Sequence, residues 1–124
     1  MRKGSRRTIV GKVLIMVALS TATFGCATVR MQRTQAQVQV ANLNIANLNA
    51  ALAIYYFDTG GYPSENEGLA ALLRSVAPGF STYLTRIPAD PWGRPYRYRL
   101  IDNFPRIDSA GPDGIFGTAD DVHD

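Results

Sequence analysis

Between Thr34 and Phe57 the chain has no charged residue, no glycine and no proline. Its apolar residues are not evenly spread, however. Val38, Ala41, Ile45, Leu48, Leu52 and Tyr55 recur at intervals of three and four, which gathers them along one side of a helix. Asn42, Asn44, Asn47 and Asn49 fall off that stripe. The pattern predicts a long helix over residues 34–58 that lays one apolar face on its own domain. The same spacing fits a coiled coil, but the flanking positions carry no charges to pair with a neighbour. "DTGG" (58–61) then ends the helix, with Gly60 or Gly61 suited to the left-handed position after its last turn.

Downstream the period changes. "YPSENEGLAALLRS" (62–75) predicts a shorter helix, with Ser64 and Glu67 at capping-box spacing and Leu69, Leu72 and Leu73 on the inner face. The next 21 residues, 76–96, hold four prolines and two glycines, the composition of an ordered loop. Within it, Asp90 is placed to cap a turn before Pro91, and Trp92 to lock the loop by burying its ring. Tyr96, Tyr98 and Leu100 then alternate with Arg97, Arg99 and Ile101, a strand pattern. "DN" (102–103) can turn the chain, and residues 104–109 can return, with Pro105 confining that strand to an edge or bulge. The expected fold class is α+β: a long N-terminal helix packed on a small antiparallel sheet.

The N-terminus breaks from this pattern. Residues 1–33 carry seven Lys or Arg and no acid, and "MRKGSRR" precedes the 22-residue apolar stretch "TIVGKVLIMVALSTATFGCATV". Basic residues ahead of an apolar run describe membrane topology rather than nucleic-acid binding. Residues 1–29 are therefore read as an export or membrane-anchor segment, and residues 30–124 as the exported domain. The stretch is long enough to span a membrane as a helix. Lys12 interrupts it, though, and only Val13 to Leu19 is unbroken apolar sequence, which also fits a cleaved signal. Cys26 after Gly25 adds a third option, lipid attachment, against the simpler role of a small buried apolar residue. As the single cysteine it excludes an intrachain disulfide and any multi-cysteine metal cluster.

The charge balance is +3 over the 124 residues, yet residues 107–124 contain five acids and no Lys or Arg. Within "GPDGIFGTADD" (111–121), Asp120 and Asp121 are adjacent. Carboxylates held this close repel unless a positive charge sits among them. The segment is not an EF-hand, because the D-x-[DN]-x-[DN]-G spacing is absent. Spacing alone leaves two readings open, a hard-cation loop and a solvated acidic tail in which "DG" makes a turn. An enzyme is not indicated. The only histidine, His123, is the penultimate residue, and no nucleophile–base set or phosphate loop is suggested.

Three segments in this order, "YYFDTGGYPSENEGLAALL", "YLTRIPADPWGRPYRY" and "SAGPDGIFGTADD", resemble the protein G (major pseudopilin) family of type II secretion systems, over roughly residues 36–122. The resemblance implies a pilin-like fold, in which a long helix carries a small periplasmic domain closed by a C-terminal calcium-binding loop. Carried over position by position, Asp113, Asp120 and Asp121 would supply side-chain oxygens to Ca2+, and Ala110 and Ile115 their carbonyls. Gly111, Gly114 and Gly117 would let the backbone turn inward. It also implies a structural subunit that polymerises through its N-terminal helix into a filament, with other pseudopilins and type II secretion components as partners. The expected location is the bacterial inner membrane, with the C-terminal domain in the periplasm.

This chain departs from the family at its start. The family is cleaved between Gly and Phe, ahead of a buried glutamate. Here an ungapped count places that start near Arg6, after Ser5, with Val10 where the glutamate would fall. Two readings follow: a pseudopilus subunit, or an exported calcium-stabilised domain, free or lipid-anchored at Cys26, that binds an envelope partner without forming a filament.

Overall fold

The protein is described by a computed structural model, in which the backbone is defined for residues 7–124 and the side chains for residues 27–124. The side chains of residues 1–26, Cys26 among them, lie outside the described residues, and with them the anchor, cleavage and lipidation readings. Among the described residues no helix is long and apolar enough to cross a membrane. The chain divides into two compact units, residues 1–35 and 36–124.

Helix α1 runs from Arg7 to Thr59, so the predicted helix over 34–58 is the C-terminal half of a longer one. The expected stripe is the buried one. Ala41, Ile45, Leu48 and Leu52 are at most 2% exposed, and Val38 and Tyr55 pack at the margin. Each fully buried Leu or Ile contributes about 1.5–3 kcal/mol, so this face holds the domain together. Against it lie Leu69, Leu72, Tyr96, Ile107 and Val122, with Trp92 and Tyr98 partly buried around them. Trp92 thus serves the loop-locking role expected of it. The asparagines off the stripe are not idle: Asn44 donates to the Tyr96 hydroxyl (3.1 Å) and Asn49 to Asp124 Oδ2 (2.8 Å). Helix α1 stops as expected, with Gly60 at φ 82° and its N–H bonded to the Tyr56 carbonyl (2.8 Å).

The second helix is shorter than its sequence suggests. The reciprocal Ser64–Glu67 box forms, Glu67 Oε2 accepting from the Ser64 hydroxyl and amide (2.9 and 3.2 Å). It closes a turn, however, and only a 3-10 helix, Gly68–Leu73, follows. Gly68 adopts φ 55°, a left-handed conformation through which a right-handed helix cannot run. With about three residues per turn, Leu69 and Leu72 share the inner face, whereas Leu73, expected beside them, is 39% exposed.

Three antiparallel strands form the sheet in the order β1 (Arg97–Ile101), β2 (Phe104–Ser109), β3 (Val122–His123). Asp102 and Asn103, both at positive φ (52° and 66°), make the two-residue turn between β1 and β2. Pro105 sits opposite Leu100, and β3 reaches only Asp108 and Ser109. The flank of β2 at Pro105 is therefore a local edge, as a proline requires. Strand β3 has no signal in the sequence. It sets Val122 into the core and brings the acidic segment between β2 and β3 back onto the domain.

Candidate metal centre in the C-terminal loop

The segment 110–121 joins β2 to β3 and is tied down at both ends. Ala110 and Gly111 are buried at the end of β2, and Gly111 (φ 63°) lies directly against the backbone carbonyl of Asp120. A side chain there would collide with backbone, so this position needs glycine for space as well as for φ.

Between those ends the aspartates organise the loop's own amides. Asp113 Oδ1 accepts from the Ile115 N–H (2.9 Å), and Asp120 Oδ2 from the Asp113 N–H (3.2 Å). Asp121 Oδ2 accepts from the Gly117 N–H (2.7 Å). Thr118 Oγ1 donates to Asp120 Oδ1 (2.6 Å) and lies 3.1 Å from the Ile115 carbonyl. That bond, followed by the amide contact from Asp113, holds the Asp120 carboxyl below its usual range. The structure thus links Asp113, Asp120 and Ile115 directly or through one residue. Asp121 is tied to the Gly117 amide, and Gly111, next to Ala110, lies against the Asp120 carbonyl.

Charge is where the loop is incomplete. Among the described residues the ion pairs all converge on Asp108, and none reaches Asp113, Asp120 or Asp121. Asp121 Oδ1 is buried with no hydrogen-bond partner, a costly state for a carboxylate oxygen. No group of three Asp, Glu, His or Cys side chains is placed to hold an ion unaided among the described residues. A cation here would need backbone carbonyls as well. Calcium suits such a mixture, taking six to eight oxygens from carboxylates and carbonyls in flexible geometry. The orphaned Asp121 oxygen and the oxygen-only donor set fit that ion.

Two arginines touch the loop without an ion pair to its aspartates. Arg94 donates through Nη1 to the Gly111 carbonyl (3.0 Å), and its guanidinium lies against Gly114. Arg97 stacks over Phe116 at 3.9 Å from the ring centroid while pairing with Asp108. The expected Asp90 cap is present: Oδ1 accepts from the N–H groups of Trp92 and Arg94 (3.1 and 2.7 Å). Its other oxygen accepts from Ser109 in the core (2.6 Å). Sequence reasoning missed Thr118, Arg94 and Ser109 as parts of this loop. A hydroxyl residue two positions before Asp120 was the available local signal for Thr118; the other two act across the fold.

His123 lies exposed in β3 beside Asp124. A surface hollow of about 560 Å³ lined by Tyr56, Gly60, Gly61, Tyr62, Leu100, Asn103 and Phe104 contains no carboxylate, histidine or cysteine.

Comparison with known proteins agrees with this architecture. Residues 28–124 match the family described as type II secretion system (T2SS), protein G. The chain belongs to that family. It is 33% identical to the type II secretion system core protein G of Aeromonas hydrophila, over 98% of this chain and 92% of the relative. The Pseudomonas aeruginosa protein of the same name is 32% identical, with 99% and 94% covered. Among solved structures, the major pseudopilin from the type 2 secretion system of enterohaemorrhagic Escherichia coli superposes with a TM-score of 0.65 at 30% identity. That match covers 75% of this chain and 86% of the other. The long helix on a small antiparallel sheet is therefore the α+β, pilin-like fold expected from the sequence, and the family is one of structural pseudopilins.

Proposed function

We propose that this chain is a structural pseudopilus subunit of a type II secretion system, contributing to the export of folded proteins across the outer membrane. In this reading its N-terminal helix is rooted in the inner membrane, its domain faces the periplasm, and further copies and other secretion components are its partners. Beyond family membership, the observation that carries the reading is the outward face of α1. Val40, Leu43, Ile54 and Phe57 are 48%, 64%, 58% and 91% exposed on a segment without a single charge. A helix apolar on both sides belongs between two packed surfaces, and in a filament the second surface is a neighbouring copy.

The test is photo-crosslinking in cells that make the whole secretion machinery. A benzophenone residue at Leu43 should give a ladder of multimers of this chain, and one at Asn66 far less. Equal yields from the two positions, or no ladder, would contradict the reading. The altered start, with Val10 in place of the family's glutamate, favours one competing account, a domain held by lipid at Cys26. Mass spectrometry of the mature N-terminus separates the two. An unlipidated end near residues 5–8 supports the filament, and diacylated Cys26 the alternative.

We infer further that the 110–121 loop binds calcium through carboxylate oxygens of Asp113, Asp120 and Asp121 and the carbonyls of Ala110 and Ile115. Two observations support it: the absence of any ion pair to these aspartates among the described residues, and the buried, unpartnered Asp121 Oδ1. When bound, the ion supplies the positive charge the loop lacks. The residues themselves close the loop through Gly111, Gly117 and Thr118.

A further inference from the structure

The turn at residues 90–94 grips the loop at one residue, Gly111, from both sides. On one side Asp90, 4% exposed, accepts from the Ser109 hydroxyl at 2.6 Å. Ser109 Oγ in turn accepts from the Gly111 N–H at 3.3 Å. On the other side Arg94 Nη1 donates to the Gly111 carbonyl at 3.0 Å, and the guanidinium fills the space beside Gly114. Arg94 is itself held, its N–H donating to Asp90 Oδ1 at 2.7 Å. One buried carboxylate thereby anchors both arms.

The consequence comes from peptide geometry. The Gly111 N–H and the Ala110 carbonyl belong to one planar trans peptide unit and point in opposite directions. Holding the N–H on Ser109 fixes where the Ala110 oxygen points, and the bond also polarises that carbonyl. Asp90 keeps the Ser109 proton on its own side, so the hydroxyl's lone pair is free for the amide. Arg94 fixes the next peptide unit, which leads towards Asp113. We propose that Asp90, Ser109 and Arg94 are positioning residues for the calcium loop: they preset the Ala110 carbonyl and the run to Asp113 before the ion arrives. The inference rests on the calcium reading above.

Partners that orient a metal's ligands without touching it are worth about 10- to 100-fold in affinity. The test is calorimetric titration of the purified full chain in detergent with Ca2+ at a temperature well below melting, with the EDTA melting curve of each variant alongside. Ser109→Ala and Arg94→Gln should each remain folded and bind calcium about 10-fold or more weakly. Arg94→Lys should bind as weakly as Arg94→Gln, since a lysine lacks the planar group that packs beside Gly114 while one of its N–H groups reaches the Gly111 carbonyl. A guanidinium acting only through its charge would repel calcium, so its loss would tighten binding. Tighter binding by Arg94→Gln, or full affinity in Arg94→Lys, overturns the positioning role. So does a set of folded variants that melt lower in EDTA yet keep the parent's Kd, the signature of a merely structural clamp. If Ser109→Ala does not fold, the two Arg94 variants decide. A parent chain that gives no calcium isotherm overturns the calcium reading itself, and this inference with it.

Discussion

Two acidic sites on neighbouring stretches of this domain solve the same problem in opposite ways. Asp108, on β2, is 3% exposed and surrounded by guanidinium groups: Arg99 at 2.6 Å, Arg97 at 3.0 Å and Arg106 at 3.3 Å. Its burial alone would push its carboxyl up, but bonds to Arg99, Arg97 and Arg106 outweigh that and hold it below the ordinary range. A few residues on, Asp113, Asp120 and Asp121 have no such neighbours and rely on loop amides and one threonine. The two arginines that touch the loop, Arg94 and Arg97, meet a carbonyl and an aromatic ring there. One carboxylate is neutralised more than once by the chain itself. The other three have no ion pair among the described residues. On a strand the register sets fixed partners, whereas the loop aspartates meet amides and a hydroxyl of their own segment.

Placing a carboxylate where neither solution exists should produce the largest effect. Leu48 is 1% exposed in the helix–sheet core, within the cluster of buried apolar side chains. Leu48→Asp should destabilise the domain by roughly 4 kcal/mol or more, read as lost secondary structure or a collapsed denaturation midpoint. A variant that unfolds like the parent would mean that this stripe does not face the core.

Asp108→Asn should come next, at about 2 kcal/mol, moderated because its arginine partners are one-third or more exposed and can turn to water. It should also reshape the acid limb. The folded carboxyl titrates below its ordinary value of 3.8, so the folded state binds fewer protons there than the unfolded chain. Its contribution is complete above that value and is lost as pH falls through it towards the folded pKa. Urea midpoints followed downward from pH 6 should therefore decline less steeply in Asp108→Asn than in the parent. Asp120, also shifted down, should preserve part of the slope in both. Identical acid limbs would remove Asp108 from the account.

The smallest effect is expected at Asp124. Its carboxylate is exposed and accepts a bond from Asn49 at 2.8 Å, outside the ring of loop contacts. Asp124→Ala should shift stability by no more than about 0.5 kcal/mol and leave any calcium response unchanged. A large loss of that response would extend the site to the C-terminus.

What the sequence disclosed follows the range of the forces involved. The Ser64–Glu67 box, the Asp90 turn and the Asp102–Asn103 hairpin rest on contacts within a few residues, and the helix stripe shows in its local period although its packing partners are distant; each forms as expected. Gly68 was legible in principle, but a capping box followed by "LAALL" reads as an ordinary helix start until the left-handed φ is known. Arg94 and Ser109 were hidden for another reason. Their partners lie 17 and 19 residues away, brought together only when β1 and β2 pair. Strand β3 exists because it has β2 to pair with, and two residues carry no periodicity of their own. The expectation of calcium at Asp113, Asp120 and Asp121 rests on family resemblance, since spacing alone does not separate a metal loop from a solvated tail.

The central contrast, one acid paired within the chain and three without an ion pair among the described residues, is tested most directly by melting the purified chain with EDTA, with millimolar calcium and with millimolar magnesium. A ligand at about 100 times its Kd stabilises the native state by about 2.7 kcal/mol, which for a domain of this size is roughly 10 °C in Tm. Calcium should therefore raise the transition by about that much. Magnesium, which demands stricter octahedral geometry, should raise it clearly less. Asp121→Ala should abolish the difference while Asp108→Asn melts lower yet keeps it. A parent transition that stays in the same place under EDTA and under calcium would contradict the account.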